Sequence, residues 1–394
     1  MRFLHTSDWH LGRRFHSEDL IDAQRRFIDH ICRTVRAERV DALLVAGDVY
    51  DRAIPSLDAV RLFSHALNQL ADLDIPTILI SGNHDSAHRL GVGSGLLARA
   101  RVHLRTDPAD VATPVLLQDA DGPVAVYAVP YLEPTLVRTH LDAEAASHQA
   151  VLTSALDRIR ADLATRPEGT RSVVLAHAFV TTGDTSASET ESERNISVGG
   201  IAHAEASVFA GIDYTALGHL HRPQRVTDRI HYSGSPLAYS FSETGHEKSL
   251  TLVDLPADAL PAVTRTALPP DLHLPLARLT GRLEDLLADP VHEPLAESWL
   301  HVTLTDAARP YEPMARLKQR FPHTLHLEHI PAVIPAQATA GRTYSERLRG
   351  RGDLDITHDF ITNVRGSEPT EAERALLQEA IDNSRVSAQE RETV

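Results

Sequence analysis

Five apolar segments of this chain each run into residues that can bind a metal, and that recurrence constrains the fold more than any other feature. RFLHTSD (2–8) leads into Asp8-Trp9-His10, and DALLVAGD (41–48) into Gly47-Asp48-Val49-Tyr50-Asp51. IPTILISGNHD (75–85) contains Gly82-Asn83-His84-Asp85, SVVLAH (172–177) ends on His177, and the shorter DYTALGHLH (213–221) carries Gly218-His219-Leu220-His221. Helical patterns separate them. Phe27, Ile28, Ile31, Cys32 and Val35 share one face over 22–38, and Val60, Phe63, Leu67 and Leu70 share another after Pro55-Ser56. Strand and helix periods in alternation predict an α/β layered core. Loops at the carboxyl ends of such strands converge on one edge, where sites form.

The remaining chain is read in the same way. VAVYAVPYL (124–132) is expected to be a strand, and Leu152, Ala155, Leu156, Ile159 and Leu163 mark a helix. DYTALGHLH, RIHYSGSPL and KSLTLVDL are expected to be strands of a later sheet. The polar stretch 181–200 predicts a mobile loop. Prolines cluster over 255–275, which places a boundary between 1–271 and a small α+β unit at 272–331. In that unit Leu300, Val302 and Leu304 alternate on one strand face, Met314, Leu317 and Phe321 mark a helix, and HTLHLEHI is a return strand. Residues 332–350 read as a linker. Two short helices follow within 351–394, at 355–365 and 370–384. Ile356, Phe360 and Val364 stripe the first, and Leu376, Leu377, Ala380 and Ile381 the second. Thr370-x-x-Glu373 has the form of a capping box.

Cysteine usage limits the chemistry. Cys32 stands alone, which excludes an internal disulfide and a thiolate zinc site. Any metal falls to Asp, His, Asn or Glu. In DxH and HxH, alternation along an extended backbone would point both side chains at one ion. Glycines before Asp48, Asn83 and His219 are expected to allow tight turns. A donor set of carboxylates, imidazoles and one amide oxygen suits Mn²⁺, Fe²⁺ or Zn²⁺. It is large enough for two ions, with Asp48 able to bridge them, and such a pair serves phosphoryl transfer. A single His at a strand end is ordinarily just a hydrogen-bonded side chain. Five such motifs in this order argue for a site.

The net charge of −15 argues against a nonspecific nucleic-acid binder. The acidity is uneven: 353–394 holds four basic and ten acidic residues, whereas 1–110 is nearly neutral. The N-terminus lacks the basic start and apolar stretch of a signal peptide, and no apolar run is long enough to span a membrane. A cytoplasmic protein is expected.

The motif set DxH, GDxxD, GNHD, H, GHxH resembles that of the calcineurin-like metallophosphoesterases. TSDWHLG, DALLVAGDVYD, SGNHDS, YTALGHLHRPQ and YSGSPLAYSF extend the resemblance to the SbcD family, the nuclease subunits of bacterial SbcC–SbcD complexes. The resemblance implies an αββα core, a small capping domain and a C-terminal helix pair. It implies two Mn²⁺ ions, other divalent metals being possible, one held by Asp8, His10, Asp48 and His221, the other by Asp48, Asn83, His177 and His219. It places His84 against the scissile phosphate, with Asp51 orienting it and Asp85 in support. In archaeal and eukaryotic relatives a His stands where this chain has Asp51, so the second half of that dyad differs. The implied activity is exonuclease cleavage of double-stranded DNA ends and endonuclease opening of hairpins and single strands, in DNA repair, recombination and replication. The implied partner is an SbcC-type ABC ATPase docked on the C-terminal helices, with ATP regulation, a homodimer within a heterotetramer and a nucleoid-associated location.

Arg13, Arg14, Arg89 and Arg222 follow ligand motifs and are candidate DNA contacts, since a guanidinium matches phosphate geometry. Ser233 and Ser235, flanking Gly234, are candidates for presenting backbone N–H groups to a phosphate. Two other readings compete. A phosphomonoesterase or cyclic-nucleotide phosphodiesterase would not need the 120 residues after the core. A non-catalytic DNA-end clamp would be favoured by a missing ligand, and none is missing.

Overall fold

A computed structural model of the chain describes residues 1–182, 193, 196, 203–331, 352–365 and 368–392. Most of the expected 181–200 loop and the whole 332–350 linker lie outside the described residues. The chain divides into two compact units, Met1–Leu276 and Ala277–Val394.

The first unit is built on two six-stranded sheets. In one, β1 (Arg2–Thr6), β2 (Ala42–Ala46), β3 (Thr77–Ile80) and β4 (Val102–Arg105) run parallel. Helices α1 (Ile21–Ala37) and α2 (Leu57–Ala71) make the first two crossovers. The apolar stripe of α1 is buried as its spacing predicts, and Ser56 Oγ caps α2 by accepting from Ala59 N at 3.3 Å. In the other sheet, β5 (Val115–Asp119) and β6 (Gly122–Val129) form an antiparallel pair at one edge. β7 (Arg171–His177), β8 (Tyr214–Gly218) and β10 (Ile230–Tyr232) then run parallel to β6, with β9 (Gln224–Arg225) at the far edge. Helices α3 (Pro134–Leu141) and α4 (His148–Leu163) pack on its outer face.

The sheets face each other across one apolar layer. Phe3, Leu44, Ala46, Ile78 and Ile80 from the first sheet meet Val126, Ala128, Val173, Leu175 and Ala216 from the second. Leu43, Val45 and Leu79 alternate with the inward residues and are also fully buried, on the helix side. Both faces of the central strands are thus covered, which is why they read as continuous apolar runs.

KSLTLVDL departs from expectation. Its strand, β11 (Ser249–Asp254), joins the first sheet antiparallel to β1 rather than the later one. β12 (Ala262–Ala267) pairs antiparallel to β11 inside the proline-rich stretch. Sequence order cannot reveal such an exchange, because both sheets offer an edge beside an apolar strand. The strands expected over 75–85 and 124–132 are also shorter, ending at Ile80 and Val129.

β13 (Leu276–Gly281) leads into the second unit, which continues with α5 (Leu283–Ala288), β14 (Trp299–Leu304), α6 (Pro313–Arg320) and β15 (Thr324–His329), with β14 central in the sheet. β15 runs parallel to β14 because α6 carries the chain back to the starting edge. Leu300, Val302, Leu304, Leu317 and Phe321 form its core and are fully buried. Helices α7 (Asp353–Arg365) and α8 (Glu371–Glu392) contact each other. Thr370 and Glu373 form the reciprocal capping box, with Thr370 N donating to Glu373 Oε2 at 2.7 Å and Glu373 N to Thr370 Oγ1 at 3.4 Å. α8 runs past 384 because no Gly or Pro stops it there. The side chain of Val364 lies outside the described residues.

The layer between the sheets supports the edge where the motifs gather. Leu175→Ala, one strand step from His177, should destabilise the first unit by about 2–5 kcal/mol. Urea unfolding followed by near-ultraviolet circular dichroism would measure this, and a loss under about 1 kcal/mol would contradict the assigned packing.

Candidate metal centre

The five motifs meet at one end of the two sheets. Asp8 N donates to Gly47 O at 3.0 Å, His10 N to Asp48 O at 2.9 Å and Leu11 N to Val49 O at 2.9 Å. The β1–β2 pairing thus continues into loops. The backbone there is not extended, which corrects the expectation that strand alternation aligns the DxH and HxH pairs. Asp8, His10, Asp48 and His219 have φ of 54°, 44°, 49° and 111°. Non-glycine residues rarely adopt such values, and they concentrate at functional sites. The turns themselves aim the side chains inward. Gly47, at φ 90°, fits the expected turn. Gly218 serves closeness instead, since a Cβ there would lie 1.8 Å from Ala46 O.

All seven predicted ligands come together. His10 Nε2 lies 3.1 Å from His221 Nε2 and 3.7 Å from Asp48 Oδ2. His177 Nε2 lies 3.5 Å from Asp48 Oδ2 and 2.8 Å from Asn83 Oδ1, and His219 Nδ1 is 3.2 Å from the same amide oxygen. Asp8, His10 and His221 form one ligand-spaced group, and Asp8, Asp48 and His177 another. Donors at roughly 2.1 Å from one ion lie about 3 Å apart when they sit at right angles. The observed separations have that size.

Electrostatics support the same reading. His177 Nδ1 lies 2.9 Å from Ala46 O, so Nδ1 carries the proton and Nε2 presents a lone pair to Asn83 Oδ1, itself an acceptor. Burial holds His177 and His221 below the ordinary imidazole range, and burial together with neighbouring histidines holds His10 and His219 well below it. Neutral imidazoles are the ligand form. Burial, then the nearby Asp48 charge, pushes Asp8 well above the usual carboxylate range. His10 Nδ1 and His219 Nε2 are buried without a hydrogen-bond partner among the described residues. Buried acceptors that face one another, with no lysine or arginine paired to Asp8 or Asp48 among the described residues, fit bound divalent cations.

The residues expected to act beside the ligands are placed as follows. Asp85 accepts from Val49 N at 3.0 Å, Tyr50 N at 2.8 Å and Gly82 N at 2.9 Å, tying the Asp48 loop to the Asn83 loop. Burial and the Asp48 charge push it up to about 7. His84 N donates to Asp48 Oδ1 at 2.9 Å, and His84 Nδ1 donates to Asp51 O at 2.8 Å. The orienting contact is therefore the Asp51 carbonyl. The Asp51 carboxylate instead faces Arg13 at 3.3 Å, Arg52 at 3.5 Å and His10 Nδ1 at 3.7 Å.

Arg13, Arg14, Arg52, His16, Asp51 and His84 line a cleft of about 720 Å³. Arg13 also lies over the Tyr239 ring. Arg14 donates to Ser17 O at 2.6 Å, and Arg89 to Ala53 O at 2.8 Å. Arg222 is exposed and lines a different cavity. Ser233 and Ser235 are fully buried and bonded inside the protein. Ser233 Oγ lies 2.8 Å from Ser7 Oγ, and Ser235 N donates to His221 O at 3.1 Å.

Several bracing residues escaped the sequence reading. Gln24 on α1 spans the first loop, donating to His10 O at 2.8 Å and accepting from Gly12 N at 3.0 Å. Tyr239 Oη donates to Trp9 O at 2.6 Å, and its ring packs edge-on against His10 and His221. Glu243 lies 3.6 Å from His221 Nδ1 and is paired with Lys248, which donates to His221 O at 3.0 Å. Burial alone would raise the Glu243 carboxyl, but Lys248 and His221 hold it well below the usual range. No local signal marks this layer, because each of these residues acts through a contact distant in sequence.

Comparison with known proteins bears on this geometry. A family model described as calcineurin-like phosphoesterase matches residues 1–223. The SbcD C-terminal model, described as type 5 capsule protein repressor C-terminal domain, matches 273–365. Among solved structures, the protein TT1561 of Thermus thermophilus is 12% identical, covering 67% of this chain and 98% of that one with a TM-score of 0.41. A dimetal phosphatase from Danio rerio is 14% identical, covering 67% of this chain and 98% of that one with a TM-score of 0.39. With one family model spanning more than half the chain and an SbcD-type module following it, this protein belongs to the calcineurin-like phosphoesterase family.

Proposed function

We propose that this chain is a two-metal DNA nuclease of the SbcD type, cutting phosphodiesters at double-stranded ends, in hairpins and in single strands. One observation carries the reading: His177 Nε2 and Asn83 Oδ1, two acceptors, lie 2.8 Å apart beside the buried Asp48 carboxylate, itself 3.5 Å from His177 Nε2. Asp8, His10, Asp48 and His221 would hold one Mn²⁺, and Asp48, Asn83, His177 and His219 the other. When bound, such a pair activates water and neutralises charge on a phosphoryl group.

The chain's own residues do the rest. The left-handed turns and Asp85 fix the donor positions before substrate arrives, which favours preorganised catalysis. His84, its Nδ1 proton committed to Asp51 O, offers Nε2 to the phosphate or the leaving oxygen. Because a carbonyl does this orienting, the carboxylate of Asp51 is left to hold Arg13 and Arg52 at the cleft mouth. Arg14 and Arg89 lie on exposed surface close to the ligand motifs and are proposed to meet the strand backbone.

The helix pair α7 and α8 is proposed to dock on an SbcC-type ABC ATPase that regulates cutting with ATP. Phe360 and Leu376 are 55% and 65% exposed there, which suits a partner surface. The 272–331 unit is proposed as a DNA- and ATPase-facing cap, and 332–350 as the tether. The assembly is proposed to contain two copies of each subunit and to serve DNA repair, recombination and replication at the nucleoid in the cytoplasm. Among the described residues no helix is long and apolar enough to cross a membrane.

His84→Ala should lower kcat on linear duplex about 10²–10⁴-fold in Mn²⁺ while metal content stays unchanged. Cleavage that survives with less than a threefold loss would remove His84 from the chemistry. Asp48→Asn should reduce metal content below two ions per chain, measured by mass spectrometry after desalting. Retention of two ions would overturn the bridging role. Phe360→Glu with Leu376→Glu should abolish co-purification with the ATPase and leave cleavage by the isolated chain intact. An unaltered complex would place the docking surface elsewhere.

A further inference from the structure

Beyond the metal centre and its cleft, a second cavity of about 240 Å³ carries an unbalanced set of donors. Arg222, His246, Ser249 and Arg265 line it, with Glu247 at its rim. Neither guanidinium makes an ion pair or hydrogen bond among the described residues. Arg222 follows the ligand His221 directly, and Arg265 faces Thr251 across the β11–β12 pair. Burial, followed by the Arg222 charge, pulls the Arg265 guanidinium below its usual range. Both side chains are exposed, so water moderates their repulsion, and an anion between them would relieve what remains.

The inner wall adds to the argument. Ser249 is 5% exposed, and its Oγ has no hydrogen-bond partner among the described residues. His246 Nδ1 is buried and equally without one. A buried hydroxyl and a buried ring nitrogen left unmatched are costly, so a ligand that satisfies them while lying between two guanidinium groups is favoured. A tetrahedral oxyanion has enough acceptor oxygens to meet a hydroxyl, an imidazole N–H and two guanidinium forks at once. The exposed Glu247 carboxylate disfavours an anion only weakly, because it is solvated.

We infer that this cavity is a phosphate-binding site, and that its occupant is a backbone phosphate of the nucleic-acid strand whose scissile bond lies at the metal centre. The second half of the statement rests on the nuclease reading above. The placement supports it, because the loop carrying His219 and His221 continues directly into the cavity wall at Arg222. Lys248, the residue before Ser249, is turned inward to His221 O and Ser235 Oγ. The strand segment that braces the ligand loop therefore also forms the phosphate site, which fixes the distance between the two.

The test uses the full chain freed of metal with EDTA. The arginine-lined cleft beside His84 is the same in wild type and variant, so the difference between the two chains reports this cavity. Inorganic phosphate should raise Tm above a chloride control of equal ionic strength. Arg265→Gln combined with Ser249→Ala should at least halve that rise. A wild-type chain with no phosphate-specific rise overturns the site. Duplex binding under the same conditions should weaken about tenfold in the variant, and the slope of log affinity on log salt should fall by about one. Loss of the phosphate effect with unchanged duplex affinity and slope overturns the strand assignment and leaves a site for small phosphates. If the metal-loaded wild type cuts no DNA, the nuclease reading fails, and the phosphate measurement still decides the site. Both substituted positions lie on β11 and β12, and Arg265 is exposed, so the far-ultraviolet spectrum of the variant should match wild type.

Discussion

The fold is organised around a concentration of buried acceptors. Asp8 is fully buried and Asp48 is 2% exposed, and four imidazoles kept neutral by burial surround them. None of these carboxylates is paired with a lysine or arginine among the described residues. Such an arrangement is unfavourable by itself, because desolvated like charges repel and lone pairs face lone pairs. Divalent cations turn each of these repulsions into coordination. The folded chain thus carries a cluster whose stability is tied to what it binds, and the surrounding architecture can be understood as the means of holding it.

That means is mostly backbone. Two sheets stacked on an apolar layer bring five strand ends to one edge, but strands deliver side chains only in alternating directions. Left-handed residues at Asp8, His10, Asp48 and His219 break that alternation where convergence is needed. Each is strained, and the strain persists because neighbours over-determine it. The ladder from Asp8, His10 and Leu11 to the β2 loop fixes one side, the three N–H bonds to Asp85 fix another, and Gln24 anchors the first loop to α1. Gly218 completes the closure by removing a Cβ that would collide with Ala46 O.

This division explains what was legible beforehand. The convergence of the candidate ligands was readable because their types are restricted and each follows an apolar run, two signals that coincide at Asp8, Asp48, Asn83, His177 and His219. The layered core was readable from period alone. The sheet joined by Ser249–Asp254 was not, because an edge strand carries no mark of its partner. The turn geometry was not, since His10 and His219 give no warning of positive φ as glycine does. Gln24, Tyr239, Glu243 and Lys248 were invisible for a different reason: each works through a contact distant in sequence, as with Tyr239 on Trp9 O. Asp51 shows a subtler limit, because the backbone carbonyl that orients His84 has no sequence identity.

Charge placement would reconcile an acidic chain with the proposed nucleic-acid substrate. The net charge of −15 is a whole-chain quantity, whereas binding responds to the field within a Debye length, about 8 Å at physiological salt. Arg13, Arg14 and Arg52 line the cleft that holds His84, and the second cavity holds Arg222 and Arg265. Much of the acidity belongs instead to 353–394, with ten acidic residues against four basic. On the nuclease reading, the two arginine-lined openings of the first unit are available to a strand that also presents a phosphate at the candidate metal ligands. On the nuclease reading, a strand that spans both openings gains phosphate contacts that neither supplies alone.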